Sequence, residues 1–426
     1  MALVDLAGLA PDADRLAADL AALADYRSPD APGWTREVFS DPYRGERDWV
    51  RDRMRDAGLE VRVDAAGNVV GRLAGASPGA PPLVTGSHTD TVHGGGRFDG
   101  VVGVLGGIEV ARRLRETGTR LTRDLFVIDF LGEEANGFGI SCLGSRALAG
   151  VLTGEHLSRR DADGRRLGDA MASFGADPDR ALGLAWRPGS VHAYLELHIE
   201  QGPVLERRGT ALGVVTAIAG IERLLATFDG RTDHAGTTPM TERRDALAAA
   251  AQAVLTIERT ACGAPVHAVS TTGRIESLPG AFNVVPDQAR LWAEVRSVDA
   301  GWLGGVKRAL AEEIAAGAAA RGVTAMIEWL TDQDPVPTTP SVRDHIGRTA
   351  DELGIDWTPI PSGAGHDAAH MTPLGPLGMI FIPSRGGRSH VPEEWTDLAD
   401  IAVGVHVLAA TLLRLDHSAR GYPGTS

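Results

Sequence analysis

The sequence predicts an α/β protein: a large domain with a mixed central sheet and covering helices, interrupted by a small α+β domain of ferredoxin-like type. Three observations predict it. Apolar strand-like runs alternate with helix-period segments in the first half of the chain. Polar, glycine-rich motifs stand where those apolar runs end. Midway the order changes to strands, helix, paired strands, helix, strand.

Each element rests on its own pattern. Leu83-Val84-Thr85-Gly86 is a short apolar run ending in polar residues, and Gly100 to Thr117 follows with apolar residues at helical spacing. Leu125 to Phe130 is a buried-strand pattern ending just before Glu133 and Glu134. Ala193 to Ile199 is a third strand, ending near His198, and Met379 to Ile382 a fourth, followed by the turn Pro383 to Arg388. In the middle, Gly213 to Phe228 reads as two strands around Gly220, and Asp245 to Thr260 as an Ala-rich helix. Ser270 to Ser297 holds two extended runs around Leu278-Pro279-Gly280, Gly304 to Arg321 is a helix, and Thr324 to Leu330 a last strand. The expected division is therefore 1–212 and 332–426 for the large domain, with 213–331 inserted.

Composition narrows the function. The chain has 426 residues, long for one core, and is 43% hydrophobic and 23% charged. A net charge of −14 argues against nucleic acid or an anionic membrane as partner, but leaves a small anionic substrate open, since local charge can oppose net charge. Two cysteines, Cys142 and Cys262, imply no disulfide framework and fit a reducing cytoplasm. Met1 to Tyr26 reads as an amphipathic helix rather than a signal peptide, and no run of apolar residues is long enough to predict a membrane span.

The chemistry-bearing residues stand at strand ends. In open α/β sheets the carboxyl ends of the strands form the ligand crevice. His88, Asp99, Glu134, His198 and His390 all fall there or in the loops just beyond. Nitrogen and oxygen donors without thiolate suit zinc, manganese, cobalt or nickel. Two divalent ions outweigh one Asp and one Glu, and neutral histidines add no charge, so such a site welcomes an anionic transition state. Asp99 is the natural bridging carboxylate. Asp90, two residues after His88, stands where it can accept the other ring N–H of that histidine. Plainer roles exist for each residue alone: Asp99 as cap of the following helix, Glu133 and Glu134 as a solvated pair, His198 as a surface histidine. Their joint occurrence beside glycines favours the metal site.

The segments Gly86-Ser87-His88-Thr89-Asp90, Gly94-Gly95-Gly96-Arg97-Phe98-Asp99-Gly100, Gly132-Glu133-Glu134-Ala135-Asn136, His198-Ile199-Glu200-Gln201-Gly202-Pro203, His234-Ala235-Gly236-Thr237-Thr238-Pro239, Gly363-Ala364-Gly365-His366-Asp367 and Ser389-His390-Val391-Pro392-Glu393-Glu394 occur in this order. Together they resemble the family of N-carbamoyl-L-amino-acid amidohydrolases, allantoate amidohydrolases and β-ureidopropionases, a branch of the dinuclear aminoacylase and carboxypeptidase clan. The resemblance implies two divalent ions per subunit. One is held by His88, Asp99 and His198, the other by Asp99, Glu134 and His390. It also implies a homodimer formed through the small domain.

Metal-assisted hydrolysis needs a base to take a proton from water and return it to the leaving nitrogen. Glu133, beside the ligand Glu134, fits by sequence, since neighbours in an extended segment point to opposite sides, and the resemblance assigns it the same role. The resemblance implies that His234, from the small domain, helps stabilise the oxyanion. Arg296 can grip a substrate carboxylate with two parallel N–H bonds, with Asn283 and Gln201 as polar partners. Gly365 offers a close backbone approach, and His366 supports the ligands. Cys142 is expected to pack rather than act as a nucleophile. Gly386 and Arg388 depart from the family pattern next to His390, where an acidic and an apolar residue are usual, and this touches pocket specificity. The expected reaction is hydrolysis of an N-carbamoyl-L-α-amino acid to amino acid, ammonia and carbon dioxide. Allantoate, β-ureidopropionate, dipeptide or acyl-amino-acid cleavage are the rivals within the enzymes, and a non-catalytic binding protein is the rival outside them.

Overall fold

The computed structural model of the protein describes residues 6–265 and 267–418. Met1 to Asp5 of the expected N-terminal helix lie outside them. The rest of that helix is not continuous. Ala7–Leu9 forms one 3-10 turn, and Ala13–Ala24 the α-helix. Pro11 disfavours helical backbone at Ala10, which sits at φ −55, ψ 136, and Asp12 restarts the helix by accepting a bond from Arg15 N–H.

The chain forms two compact units. The first comprises residues up to Thr216, Thr338–Ile360 and from His366 on; the second comprises Ala217–Pro337 and Pro361–Gly365.

The first unit carries the large mixed sheet. In spatial order its main strands are Glu60–Val63, Val69–Leu73, Leu125–Phe130, Leu83–His88, Ala193–Ile199, Leu377–Ile382 and Leu212–Ile218, and the last also pairs with Val336–Pro337 and Trp357–Ser362. The four strands from Leu125 to Leu377 in that order run parallel, and antiparallel strands border them. Three of these four are buried along their whole length, and the Leu125 strand at all but one position. Their near-continuous apolar sequences therefore lack the alternation of a half-exposed strand. The Leu212 strand pairs with the Leu377 strand, so Gly213, expected in the inserted domain, belongs to this sheet.

Two helices lie on the sheet at close range, and glycine sets the distance. In helix Val101–Glu116, a Cβ at Gly103 would stand 2.5 Å from the Leu197 carbonyl oxygen and 2.7 Å from Ser87 Cβ. In helix Leu398–Asp416, a Cβ at Gly404 would stand 2.6 Å from Ile382 Cγ2. The second helix has the length and composition of a membrane span, yet it is a core helix: Ile401, Val405, Leu408 and Leu412 are fully buried in the main core.

The second unit follows the order β-α-β-β-α-β. Its main strands are Gly220–Asp229, Val269–Leu278, Gln288–Ser297 and Thr324–Gln333, and its helices are Ala246–Cys262 and Ala300–Ala319. The sheet is antiparallel throughout, with the Gly220 and Gln288 strands in the middle. This is the ferredoxin-like arrangement. Asp245 and Asp299 cap the two helices, whose Ala249, Ala253, Leu303 and Leu310 meet Leu224, Phe228, Leu291 and Val295 of the sheet in a core of their own.

Replacing Gly103 with Ala forces the helix off the sheet and should lower stability by about 1–3 kcal/mol. Chemical denaturation of the variant and the parent measures this, and an unchanged midpoint would contradict the close-approach argument.

Candidate functional site

The carboxyl ends of the four parallel strands bring the predicted ligands together. His88 is the last residue of its strand, His198 the penultimate residue of its own, and Glu133, Glu134 and His390 follow the Leu125 and Leu377 strands. Two groups of potential metal ligands result, His88–Asp99–His198 and Asp99–Glu134–His390, with the donor atoms of each group within 4.8 Å of one another. Asp99 belongs to both. Its Oδ1 lies 3.1 Å from His198 Nε2 and 3.7 Å from His88 Nε2, and its Oδ2 lies 3.1 Å from His390 Nε2. Asp99 does not cap the following helix. The N-cap is Gly100, at φ 67, and no side chain bonds there. A Cβ on Gly100 would stand 2.5 Å from the His88 ring, so glycine is what lets the turn pass that ring.

Backbone carbonyls orient the two buried histidines. His88 Nδ1 lies 3.0 Å from the Asp90 carbonyl oxygen, and His198 Nδ1 lies 2.9 Å from that of Ile199. Each ring therefore holds its Nδ1 proton against a carbonyl and turns Nε2 toward Asp99. Here the structure corrects one expectation. The Asp90 carboxylate is 3.5 Å from the His88 ring nitrogen and instead accepts the main-chain N–H groups of Glu133 and Glu134, both at 3.1 Å. It organises the loop that carries both glutamates. That loop is not an extended strand, and neither glutamate is solvated. Glu133 Oε2 lies 3.8 Å from His88 Nε2, and Glu134 Oε1 lies 3.4 Å from His390 Nε2.

The electrostatics of this cluster fit a cation. Burial, joined by Glu134 and Asp367, pushes the Glu133 carboxyl well above its ordinary range, and burial with Asp99 lifts Glu134 to about 7. Burial opposes the charge on His390, but the hydrogen bond to Asp99 and the field of Glu134 outweigh it and raise the ring to about 9. Glu134 Oε1 is buried and accepts no hydrogen bond. A divalent cation in these groups would supply a partner and offset the crowded negative charge. A third group, Glu196–His198–His366, is also close enough to consider. Glu196, however, accepts hydrogen bonds from Ser87 Oγ at 2.9 Å and Tyr194 OH at 2.7 Å, and His366 meets the His198 ring edge-on at 4.6 Å. Glu196 is thus engaged by neighbouring hydroxyls, and His366 packs on the His198 ring.

Gln201 lies on the ligand cluster: its Nε2 donates to Asp99 Oδ2 at 2.7 Å. The Cys142 thiol is buried and donates to Glu133 Oε1 at 3.4 Å. The remaining predicted residues sit in the second unit. His234 pairs with Val284, and the Asn283 carbonyl accepts from Ala235 N–H, so these two segments are neighbours. Arg296 is engaged with Glu294 Oε1 at 2.7 Å and with the Gly363 carbonyl at 3.3 Å, on the same segment as Gly365. Sequence reasoning gave no role to Glu196, Ser389 or Glu394, all buried or partly buried against the ligands. The alternating Tyr194-Leu195-Glu196-Leu197-His198, which sets Tyr194, Glu196 and His198 on one face, carried a signal for Glu196.

The profile of peptidase family M20/M25/M40 matches residues 79–414. The chain belongs to this family. It is 41% identical over 402 residues to an N-carbamoyl-L-amino acid amidohydrolase of Geobacillus stearothermophilus, covering 94% of this chain and 98% of the relative. It is 38% identical to a ureidoglycolate hydrolase of Arabidopsis thaliana over 96% of this chain and 87% of that one. Among solved structures, a hydantoinase/carbamoylase family amidase of Burkholderia multivorans superposes with a TM-score of 0.86 at 34% identity, covering 96% and 99% of the two chains. Within M20 the chain is thus an amidohydrolase of the hydantoinase/carbamoylase branch, a hydrolase of amide C–N bonds, and the family is metal-dependent.

A metal ion held by Asp99, Glu134 and His390 would displace the proton that Glu134 holds up to about 7 and the one that His390 holds up to about 9. Apparent affinity for manganese or zinc should therefore rise with pH through this window, with proton release on binding. Chelator competition across the range checks it, and an affinity flat in pH would contradict the assignment.

Proposed function

We propose that this amidohydrolase cleaves the ureido C–N bond of an N-carbamoyl-L-α-amino acid, giving the amino acid, ammonia and carbon dioxide. The observation that carries the reading is the pair of ligand groups sharing Asp99, with Glu133 close to His88 yet outside both groups. The choice of substrate is supported by the 41% identical relative, which bears that name.

His88, Asp99 and His198 would hold one divalent ion, and Asp99, Glu134 and His390 a second. Zinc, manganese, cobalt or nickel suits this donor set. When bound, the ions supply Lewis acidity toward the ureido carbonyl and lower the pKa of the attacking water. Glu133 takes the proton from that water and passes it to the leaving nitrogen as the C–N bond breaks. A carboxylate held in an apolar, acidic surrounding is a strong acceptor, and Cys142 steadies its Oε1. His234 donates to the oxygen that gains charge. Arg296 releases Glu294 and grips the substrate α-carboxylate, with Asn283 beside it and Gln201 as a further polar contact. Gly365 and His366 line the approach. The inserted ferredoxin-like unit is the expected lid and dimerisation domain. The free cysteines suit a cytoplasmic, reducing setting.

A second reading, ureidoglycolate or allantoate hydrolysis, is favoured by the 38% identical plant relative named for ureidoglycolate. A panel of N-carbamoyl-L-amino acids, ureidoglycolate, allantoate, β-ureidopropionate and dipeptides, run with several metals, separates the two. The highest kcat/KM should fall on a carbamoyl-L-amino acid, and a higher value on ureidoglycolate or allantoate overturns the proposal.

Two substitutions should divide the roles. Glu133→Gln should lower kcat on the order of 10²–10⁴-fold with metal content retained. Arg296→Ala should raise KM by tenfold or more, since about 1.4 kcal/mol of lost carboxylate binding corresponds to that factor. Steady-state kinetics with metal analysis measures both. Retention of more than about 5% of turnover in Glu133→Gln, or an unchanged KM in Arg296→Ala, would refute the corresponding role.

A further inference from the structure

We propose that Glu394 is a positioning residue of the metal centre: its buried carboxylate ties the loop that carries Asp99 to the loop that carries His390. The proposal rests on the reading of Asp99 and His390 as ligands and adds a residue that ligates nothing itself.

Glu394 is 2% exposed, although it follows another glutamate in a surface loop. Its neighbour Glu393 is exposed and pairs with Arg388 at 3.0 Å. Glu394 instead turns inward. Its Oε1 accepts the main-chain N–H of Phe98 at 2.8 Å and of Asp99 at 3.0 Å. Its Oε2 accepts the Ser389 hydroxyl at 2.7 Å, and that hydroxyl lies 3.2 Å from Asp99 Oδ2. One carboxylate thus fixes the backbone of the shared ligand and, through Ser389, the residue next to His390. The two loops are nearly 300 residues apart in sequence (|i−j| is 295 for the bond to Asp99 N–H), so no local turn sets their spacing.

Two further features show that the position is built. A Cβ on Gly96 would lie 2.0 Å from Glu394 Cδ and 2.2 Å from each of its oxygens, so glycine there makes room for the carboxylate. His390 sits at φ 57, in the left-handed region that a non-glycine side chain seldom adopts, and needs neighbours to hold it. The hydrogen bonds from Glu394 through Ser389 supply that restraint. Without them the Asp99 main chain and the His390 loop relax independently, and the distance between Asp99 Oδ2 and His390 Nε2 is no longer set.

The test is zinc affinity by competition with a chromophoric chelator on four variants: Glu394→Ala, Glu394→Gln, Gly96→Ala and Asp99→Ala. Glu394→Ala and Gly96→Ala, which remove the clamp from opposite sides, should both weaken zinc binding on the order of 10–100-fold. Glu394→Gln, which keeps one acceptor oxygen, should fall between them and the parent. At saturating metal, turnover should recover toward the parent value with KM unchanged, a pattern that general destabilisation does not produce. Parent-like affinity in Glu394→Ala or, if that variant does not fold, in both Glu394→Gln and Gly96→Ala overturns the proposal. Asp99→Ala separates the two levels: if it keeps its zinc, the ligand reading itself fails, whereas if it alone loses zinc, only the positioning role fails.

Discussion

The Asp99 carboxylate is the constraint on which the site depends. One of its oxygens faces His198 and His88, the other faces His390, and the group is nearly fully buried. Burial alone would protonate such a carboxyl, yet hydrogen bonds to His198 and His390 hold it well below its ordinary range. An ionised carboxylate with two separately directed oxygens can serve two cations at once. Its surroundings follow from that requirement: Gly100 clears the turn beside His88, backbone carbonyls fix the histidine rings, and Gln201 and Ser389 lie on the same oxygen as His390.

The sheet delivers this arrangement through a division of labour. The parallel strands, almost entirely buried, are rigid and end together, which gives His88, His198 and the two following loops a common origin. The loops add the acids. Asp90 reaches across to the N–H groups of Glu133 and Glu134, so the proposed base and a candidate ligand are placed by a side chain on the neighbouring strand end. The result concentrates buried carboxylates far beyond what a resting core tolerates, which is the physical mark of a site built around positive charge.

The strands and their order of burial were legible in the sequence because fully buried parallel strands leave continuous apolar runs. Ala193–Ile199 can be read directly from its residues. The grouping of the candidate ligands was legible because its members stand at the ends of those runs. What failed was anything decided by contacts distant in sequence. Asp90 suggested a partner two residues away, while its carboxylate binds backbone 43 and 44 residues on. Glu393 and Glu394 are alike in sequence, and only the packing against Phe98 and Gly96 determines which turns inward. The strand Leu212–Ile218 continues the large sheet because Val214 and Gly213 pair with Ile380 and Phe381, a register no local pattern announces. The break at Pro11 was visible locally and simply outweighed by the amphipathic pattern around it.

Anomalous diffraction from crystals of the manganese-loaded protein tests the shared-carboxylate account most directly. The account requires two peaks flanking Asp99, one within ligand distance of His88 and His198, the other of Glu134 and His390, with a different Asp99 oxygen on each. A single peak, or a peak seated on Glu196 and His366 instead, would contradict it.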